Sequence, residues 1–156
     1  MAIPARITEF LKQKSVPYEV MRHAAAFTAQ ELAAVEHVKG RNHAKVVVVQ
    51  AERSRMLVVL PADHRVNLDK LSRATGQPCA LVDESEFDRM FPDCDRGTMP
   101  PFGTLYDLPT WVDRSLTVDK EIVFEAGSHT EAIKMRYSDF EKLAAPRVAD
   151  FAEKLH

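Results

Sequence analysis

Two apolar runs, Lys45-Val-Val-Val-Val-Gln-Ala51 and Met56-Leu-Val-Val-Leu-Pro61, are separated only by the charged stretch Glu52-Arg53-Ser54-Arg55. β-Branched side chains suit a pleated surface, and two such runs across a short polar turn predict a hairpin. Neither run alternates strictly with polar residues, so both strands should be central, covered on both faces. A chain of 156 residues is long enough to bury a sizeable core around that hairpin, and one domain over residues 1–156 is the expectation.

The flanking segments supply the cover. Ala5 to Gln13 reads as a helix with Ile7, Phe10 and Leu11 on one side, and Tyr18 to Arg22 alternates like a strand. Thr28-Ala-Gln-Glu31 has the form of a capping box for a helix over 29–37. Asn67 is placed to cap a short helix that ends near Gly76, Cys79 to Val82 reads as a strand, and Asp83 with Glu86 opens a helix that Pro92 stops. Thr110 to Asp113, Glu121 to Glu125 and Thr130 to Arg136 read as strands, with a turn at Ala126-Gly-Ser128. Ser138-Asp-Phe-Glu141 predicts a C-terminal helix interrupted near Pro146. Helices interspersed with hairpin-connected strands make a mixed α/β (α+β) domain around one curved, largely antiparallel sheet.

Composition excludes several functions. A formal net charge of −2 is no global field for coating nucleic acid, so DNA is not expected as a partner and any RNA contact must be local. Basic residues gather at Arg41, His43 and Lys45, at Arg53 and Arg55, and at Arg65, Lys70 and Arg73. No apolar stretch approaches the roughly 20 residues of a membrane helix. The N-terminal residues carry no leader-type apolar region. Cys79 and Cys94 have neither zinc nor redox spacing. A soluble, cytoplasmic protein with reduced thiols is expected.

Three places depart from what folding alone would choose. Lys45 stands directly before four valines, where an ammonium must either snorkel outward as an edge lysine or meet an anionic partner at a pocket mouth. Gly97-Thr-Met-Pro-Pro-Phe-Gly103 combines two prolines with flanking glycines. It is either a rigid connection or a loop shaped to present the Gly103 amide to a carbonyl oxygen. Gly127-Ser128-His129 puts a histidine at a tight turn, as a surface residue or as a hydrogen-bonding group on a rigid scaffold. No other histidine forms a metal-type cluster with His129, and no nucleophile elbow or cysteine nucleophile is present, so neither a metal nor another cofactor is expected.

These places occur in order with Arg22-His23, Phe27-Thr28, Ala44-Lys45, Val59-Leu-Pro-Ala62, Pro100-Pro-Phe-Gly103, Val112-Asp113 and Phe124-Glu-Ala-Gly-Ser-His129. In that set the chain resembles the YbaK/prolyl-tRNA-synthetase-associated-domain family over nearly its whole length. The resemblance implies a compact mixed α/β fold and a free-standing hydrolase serving translation fidelity, its cleft taking the aminoacylated 3′ end of tRNA. A synthetase is implied as a further partner. It also implies that Lys45 is the pocket lysine, Gly103 the backbone contributor and His129 the turn histidine near the amino-acid side chain. Phe27, Thr28, His43, Pro100, Pro101, Phe102, Gly127 and Ser128 become substrate-binding candidates. Members selective for alanine often carry asparagine after the pocket lysine, where this chain has Val46. A non-catalytic tRNA-acceptor or synthetase-binding module of the same fold is the alternative. A Schiff base at Lys45 with pyridoxal phosphate ranks below both, since no phosphate-binding loop accompanies it.

Overall fold

The structure is a computed structural model, and it describes residues 3–22, 43–95 and 97–155. The predicted helix over 29–37 lies outside the described residues, as do Phe27, Thr28 and Arg41.

The hairpin is as the sequence predicts. β2 (His43–Gln50) and β3 (Arg55–Pro61) pair antiparallel from Ala44 opposite Pro61 to Gln50 opposite Arg55. The turn closes with Ala51 N–H donating to Ser54 O at 2.8 Å. Around the hairpin runs an eight-stranded sheet in the order β1-β8-β7-β2-β3-β6-β9, with β5 (Ala80–Leu81) paired to β2. The other members are β1 (Glu19–Arg22), β6 (Thr110–Asp113), β7 (Glu121–Glu125), β8 (Glu131–Arg136) and β9 (Arg147–Ala149). Four pairings are antiparallel, and three (β2 with β7, β3 with β6, β6 with β9) are parallel. The sheet is therefore mixed. β4 (His64–Val66) and β10 (Ala152–Lys154) form a separate antiparallel pair.

Strand alternation sorts the side chains into two cores. Ala44, Val46 and Val48 of β2, with Leu57, Val59, Val112, Ile122, Phe124 and Ile133, face the larger one. That core is covered by Ile7 and Leu11 of α1 (Ala5–Gln13) and by Tyr137, Phe140 and Leu143 of α4 (Tyr137–Ala144). Val47 and Val49, with Met56, Val58 and Leu60, face a smaller core closed by Phe151 and by Leu71 of α2 (Leu68–Thr75). Asn67 caps α2 by accepting from Lys70 N–H, and Gly76 ends it at φ +72°, a left-handed conformation that favours glycine. α3 (Glu84–Met90) follows Asp83, whose side chain makes no capping bond.

Two local expectations are corrected. α4 begins at Tyr137 with Arg136 as its cap residue and no side-chain cap, so the Ser138 capping box does not set its start. Beyond Pro146 the chain does not resume a helix. Residue 146 has no amide hydrogen to give, and the tail becomes β9 and β10. The organising residue is Asp113, whose buried carboxylate accepts the N–H groups of Phe151 at 2.8 Å and Ala152 at 2.9 Å. A side chain 38 residues upstream thus satisfies backbone donors that a helix would otherwise have bonded internally.

Candidate active site

Lys45 is an odd-numbered residue of β2, so alternation puts it on the smaller-core face, in line with Val47 and Val49 and opposite Leu60. It is partly buried where that face gives way to ionisable side chains. Burial pushes its ammonium below the ordinary lysine range, and the Asp63 carboxylate opposes that fall. Among the described residues no carboxylate forms an ion pair with it. The result is a partly desolvated cation with capacity for an anionic or polarisable oxygen.

The neighbours follow from register. β2 and β7 run parallel with His43 beside Val123 and Ala44 beside Phe124, so the next step along each strand brings Lys45 and Glu125 alongside on one face. Glu125 is buried at 8% exposure, and His43, two residues before Lys45, is fully buried. At the same end of β3 the chain turns through Ala62 and Asp63, with Ala62 N–H donating to His43 O at 2.7 Å. Asp63 Oδ1 lies 2.6 Å from His64 Nδ1.

The other two singular places of the sequence form one unit. Gly127 N–H donates to Thr98 O at 2.7 Å, Asp95 N–H donates to Gly127 O at 3.0 Å, and His129 N–H donates to Asp95 Oδ2 at 3.2 Å. Ser128 is buried, and its Oγ accepts from Thr130 N–H at 3.1 Å. Gly127 has φ +86°, and a Cβ there would meet Pro4 Cδ at 2.5 Å. Only glycine combines that conformation with that approach of α1. The turn carrying His129 is thereby clamped between the start of α1 on one side and Asp95 and Thr98 on the other.

The loop is built inward. Thr98, Met99, Pro100 and Pro101 are buried, and Phe102 is fully enclosed, its ring 5.4 Å from Phe124, 5.5 Å from Phe10 and 6.1 Å from Phe140. Phe102 is therefore core here, where the sequence suggested a pocket wall. Gly103 is also buried, and its N–H donates to Thr110 Oγ1 at 3.1 Å. A Cβ at Gly103 would collide with Thr110 Oγ1 and the Leu108 carbonyl oxygen. Close packing of the loop on β6 is what this glycine visibly provides; its amide can reach a substrate carbonyl only by sharing or releasing the Thr110 bond.

Reasoning from sequence missed Asp63, Asp95 and Glu125. Asp63 and Asp95 are polar residues in turns, where aspartate is ordinary. Glu125 ends its strand in phase with Glu121 and Val123, so a carboxylate there reads as an ordinary strand-end charge, although the structure buries it.

Other reactive groups are accounted for. Cys79 and Cys94 are free thiols. Burial pushes the Cys94 thiol up to about 11, and its Sγ sits 3.5 Å from the Tyr106 hydroxyl. A thiol held protonated is a poor nucleophile. Among the described residues no group of three His, Cys, Asp or Glu side chains is arranged to hold a metal ion, and no helix is long and apolar enough to cross a membrane.

A family model described as the aminoacyl-tRNA editing domain matches residues 23–143 of this chain. The chain belongs to that family. The matched span takes in Lys45, the 97–103 loop and the turn with His129, so the resemblance drawn from those residues to the YbaK group is borne out. Among curated relatives, the multifunctional Ser/Thr-tRNA deacylase ProXp-y of Escherichia coli (strain K12) is 24% identical over 152 residues, covering 94% of this chain and 90% of that protein. Among solved structures, hypothetical protein APE2540 superposes with a TM-score of 0.86 at 21% identity, covering 95% of this chain and 99% of the other. A proposed trans-editing enzyme for prolyl-tRNA synthetase superposes with a TM-score of 0.83 at 23% identity, covering 95% of each chain. The mixed α/β fold is thus the fold of these proteins, and the family is one of aminoacyl-tRNA deacylases.

Proposed function

We propose that this protein hydrolyses the ester joining a wrongly attached small amino acid, alanine, serine or threonine, to the 3′ end of tRNA. The observation that carries the reading is Lys45, a partly desolvated ammonium without an ion pair among the described residues, held on a rigid central strand within the span matched by the editing-domain model. Serine and threonine are named in the E. coli relative. The buried, proline-stiffened loop at 97–103 favours a site of fixed, narrow shape.

An aminoacyl ester is already activated, so a positioned water and a stabilised oxyanion suffice without a protein nucleophile. Water oxygen adds to the ester carbonyl carbon, negative charge develops on the carbonyl oxygen, and the ribose oxygen leaves with a proton. Lys45 supplies positive charge to the substrate phosphate or the developing oxyanion. The Gly103 loop provides shape, with its amide as a second donor where the Thr110 bond is shared. His129, its own amide held by Asp95, shapes the amino-acid end, and a substrate hydroxyl orients the water. Pro100 and Pro101 stiffen that loop, while His43, Gly127 and Ser128 frame the site from buried positions; Phe27 and Thr28 are proposed as further walls. A synthetase remains a proposed partner, in addition to the tRNA acceptor end.

The test is a panel of mischarged tRNAs incubated with the protein, scoring ester loss against buffer. Loss from alanyl-, seryl- or threonyl-tRNA with leucyl- and phenylalanyl-tRNA spared is the expected result. Equal turnover of the large side chains would overturn the size argument, and no turnover of any would overturn the activity.

A further inference from the structure

We infer that Asp63 is the counter-charge and positioning residue of Lys45, and that His64 and the C-terminal strand β10 hold it in place. The inference deepens the proposed function by adding a residue pair to the same site, and it rests on that reading only for its kinetic consequence.

The placement is covalent and register-determined. Lys45 pairs with Leu60, so the chain that leaves β3 after Pro61 turns back at the Lys45 end of the hairpin, and Ala62 N–H fastens that turn to His43 O. Asp63 is the first acidic residue beyond it. Its main-chain oxygen accepts Leu155 N–H at 3.1 Å, and its Oδ1 is 2.6 Å from His64 Nδ1, so both backbone and carboxylate are restrained. His64 in turn pairs with Lys154, and the same two strands are tied by Glu153, which accepts from Arg65 Nε at 2.9 Å and Asn67 Nδ2 at 2.8 Å. A surface turn needs no such bracing. A turn whose carboxylate must stay at a fixed distance from a reactive ammonium does, because the field of a charge on its neighbour depends on separation.

Among the described residues, register and chain path bring these ionisable groups to the Lys45 end of the hairpin. His43 on β2 and Glu125 on β7 share its face, Asp63 and His64 approach from the β3–β4 turn, and Lys154 stands beside His64 on β10. Asp63 is the group whose charge acts on Lys45 against the effect of burial. Removing it leaves the ammonium in a partly desolvated place with less to keep it protonated and less to fix its direction.

The experiment uses the full chain labelled with ¹³C-lysine, the Lys45 resonance being assigned by its absence from Lys45→Arg. In Asp63→Asn the Lys45 resonance should titrate at lower pH than in wild type. Asp63→Glu should restore it most of the way. In deacylation of seryl-tRNA, kcat of Asp63→Asn should fall about tenfold, the size of coupling usual for neighbouring charges, with KM little changed. In a Lys45→Met background the same Asp63 change should have no further effect. An unchanged Lys45 titration in folded Asp63→Asn overturns the inference, as does an equal loss of kcat in the Lys45→Met background. Should Asp63→Asn fail to fold, folded Asp63→Ser decides: a Lys45 resonance titrating at lower pH than in wild type supports the counter-charge, and an unmoved one refutes it. The NMR readout does not depend on turnover. A wild-type protein inactive on every tRNA with Lys45 still shifted by Asp63→Asn would sink the proposed function and leave the pair standing.

Discussion

Replacing Lys45 with methionine separates function from folding more cleanly than any other change. The side chain keeps most of its length and gains apolar surface on a face already carrying Val47, Val49 and Leu60. Burial lowers the lysine's pKa in the folded chain, which means that folding disfavours the charged form. The sign follows directly. Below the folded pKa the ammonium costs stability, and the cost disappears as pH rises past the ordinary value of 10.5. Lys45→Met removes this cost at neutral pH, so its melting temperature should equal or exceed that of wild type. Its deacylation rate should fall roughly 10²- to 10³-fold, as for loss of one preorganised donor to an oxyanion, about 3–4 kcal/mol of transition-state stabilisation. Lys45→Arg should rescue poorly, because a planar guanidinium does not reproduce a point charge on a shorter stem. Thermal melts and single-turnover deacylation on the same preparations are the assay. Wild-type turnover in a folded Lys45→Met protein, or a stability loss above about 1 kcal/mol, would refute the reasoning, since the lysine would then be either idle or structural.

Further outcomes are expected at Asp113, at Gly127 and Gly76, at Phe102 and at Cys94. Asp113→Ala strands the buried Phe151 amide and the part-buried Ala152 amide and should cost about 2–5 kcal/mol in denaturant unfolding; a loss under about 1 kcal/mol would contradict its role in folding the tail. Burial alone would raise the Asp113 carboxyl, but bonds from Ser115, Phe151 and Ala152 outweigh it and hold it below its ordinary 3.8. That contribution is therefore present above pH 3.8 and lost as pH falls through the lower folded value, so wild type should show an acid-induced stability loss there that Asp113→Asn lacks. Gly127→Ala should lower both stability and activity through its clash with Pro4, whereas Gly76→Ala, strained in φ but open in space, should lower stability alone. Phe102→Ala should cost about 3–5 kcal/mol by emptying the middle of the aromatic cluster, measurable by thermal unfolding. Cys94 should resist alkylation by iodoacetamide at pH 7.5, its thiol being pushed up to about 11; rapid modification of Cys94 in the folded protein would count against that.

The sequence by itself determined what acts over a few residues. Valine runs and a charged turn specified the β2–β3 hairpin, Asn67 and Gly76 bounded α2, and alternation along β2 decided which face receives Lys45. Capping, turn preference and strand period are local interactions, so they leave a local trace. The tertiary structure alone decided which distant segments meet. Asp95 and Thr98 clamp the His129 turn from some 30 residues away, Thr110 takes the Gly103 amide, Asp113 turns the tail after Pro146 into strand, and Asp63 is braced by a strand near the far end of the chain. In each of these a backbone donor finds an acceptor that no local pattern announces. Such a pairing is fixed by chain path and by the cost of burying polar groups unpaired, and it leaves no periodicity behind to be read.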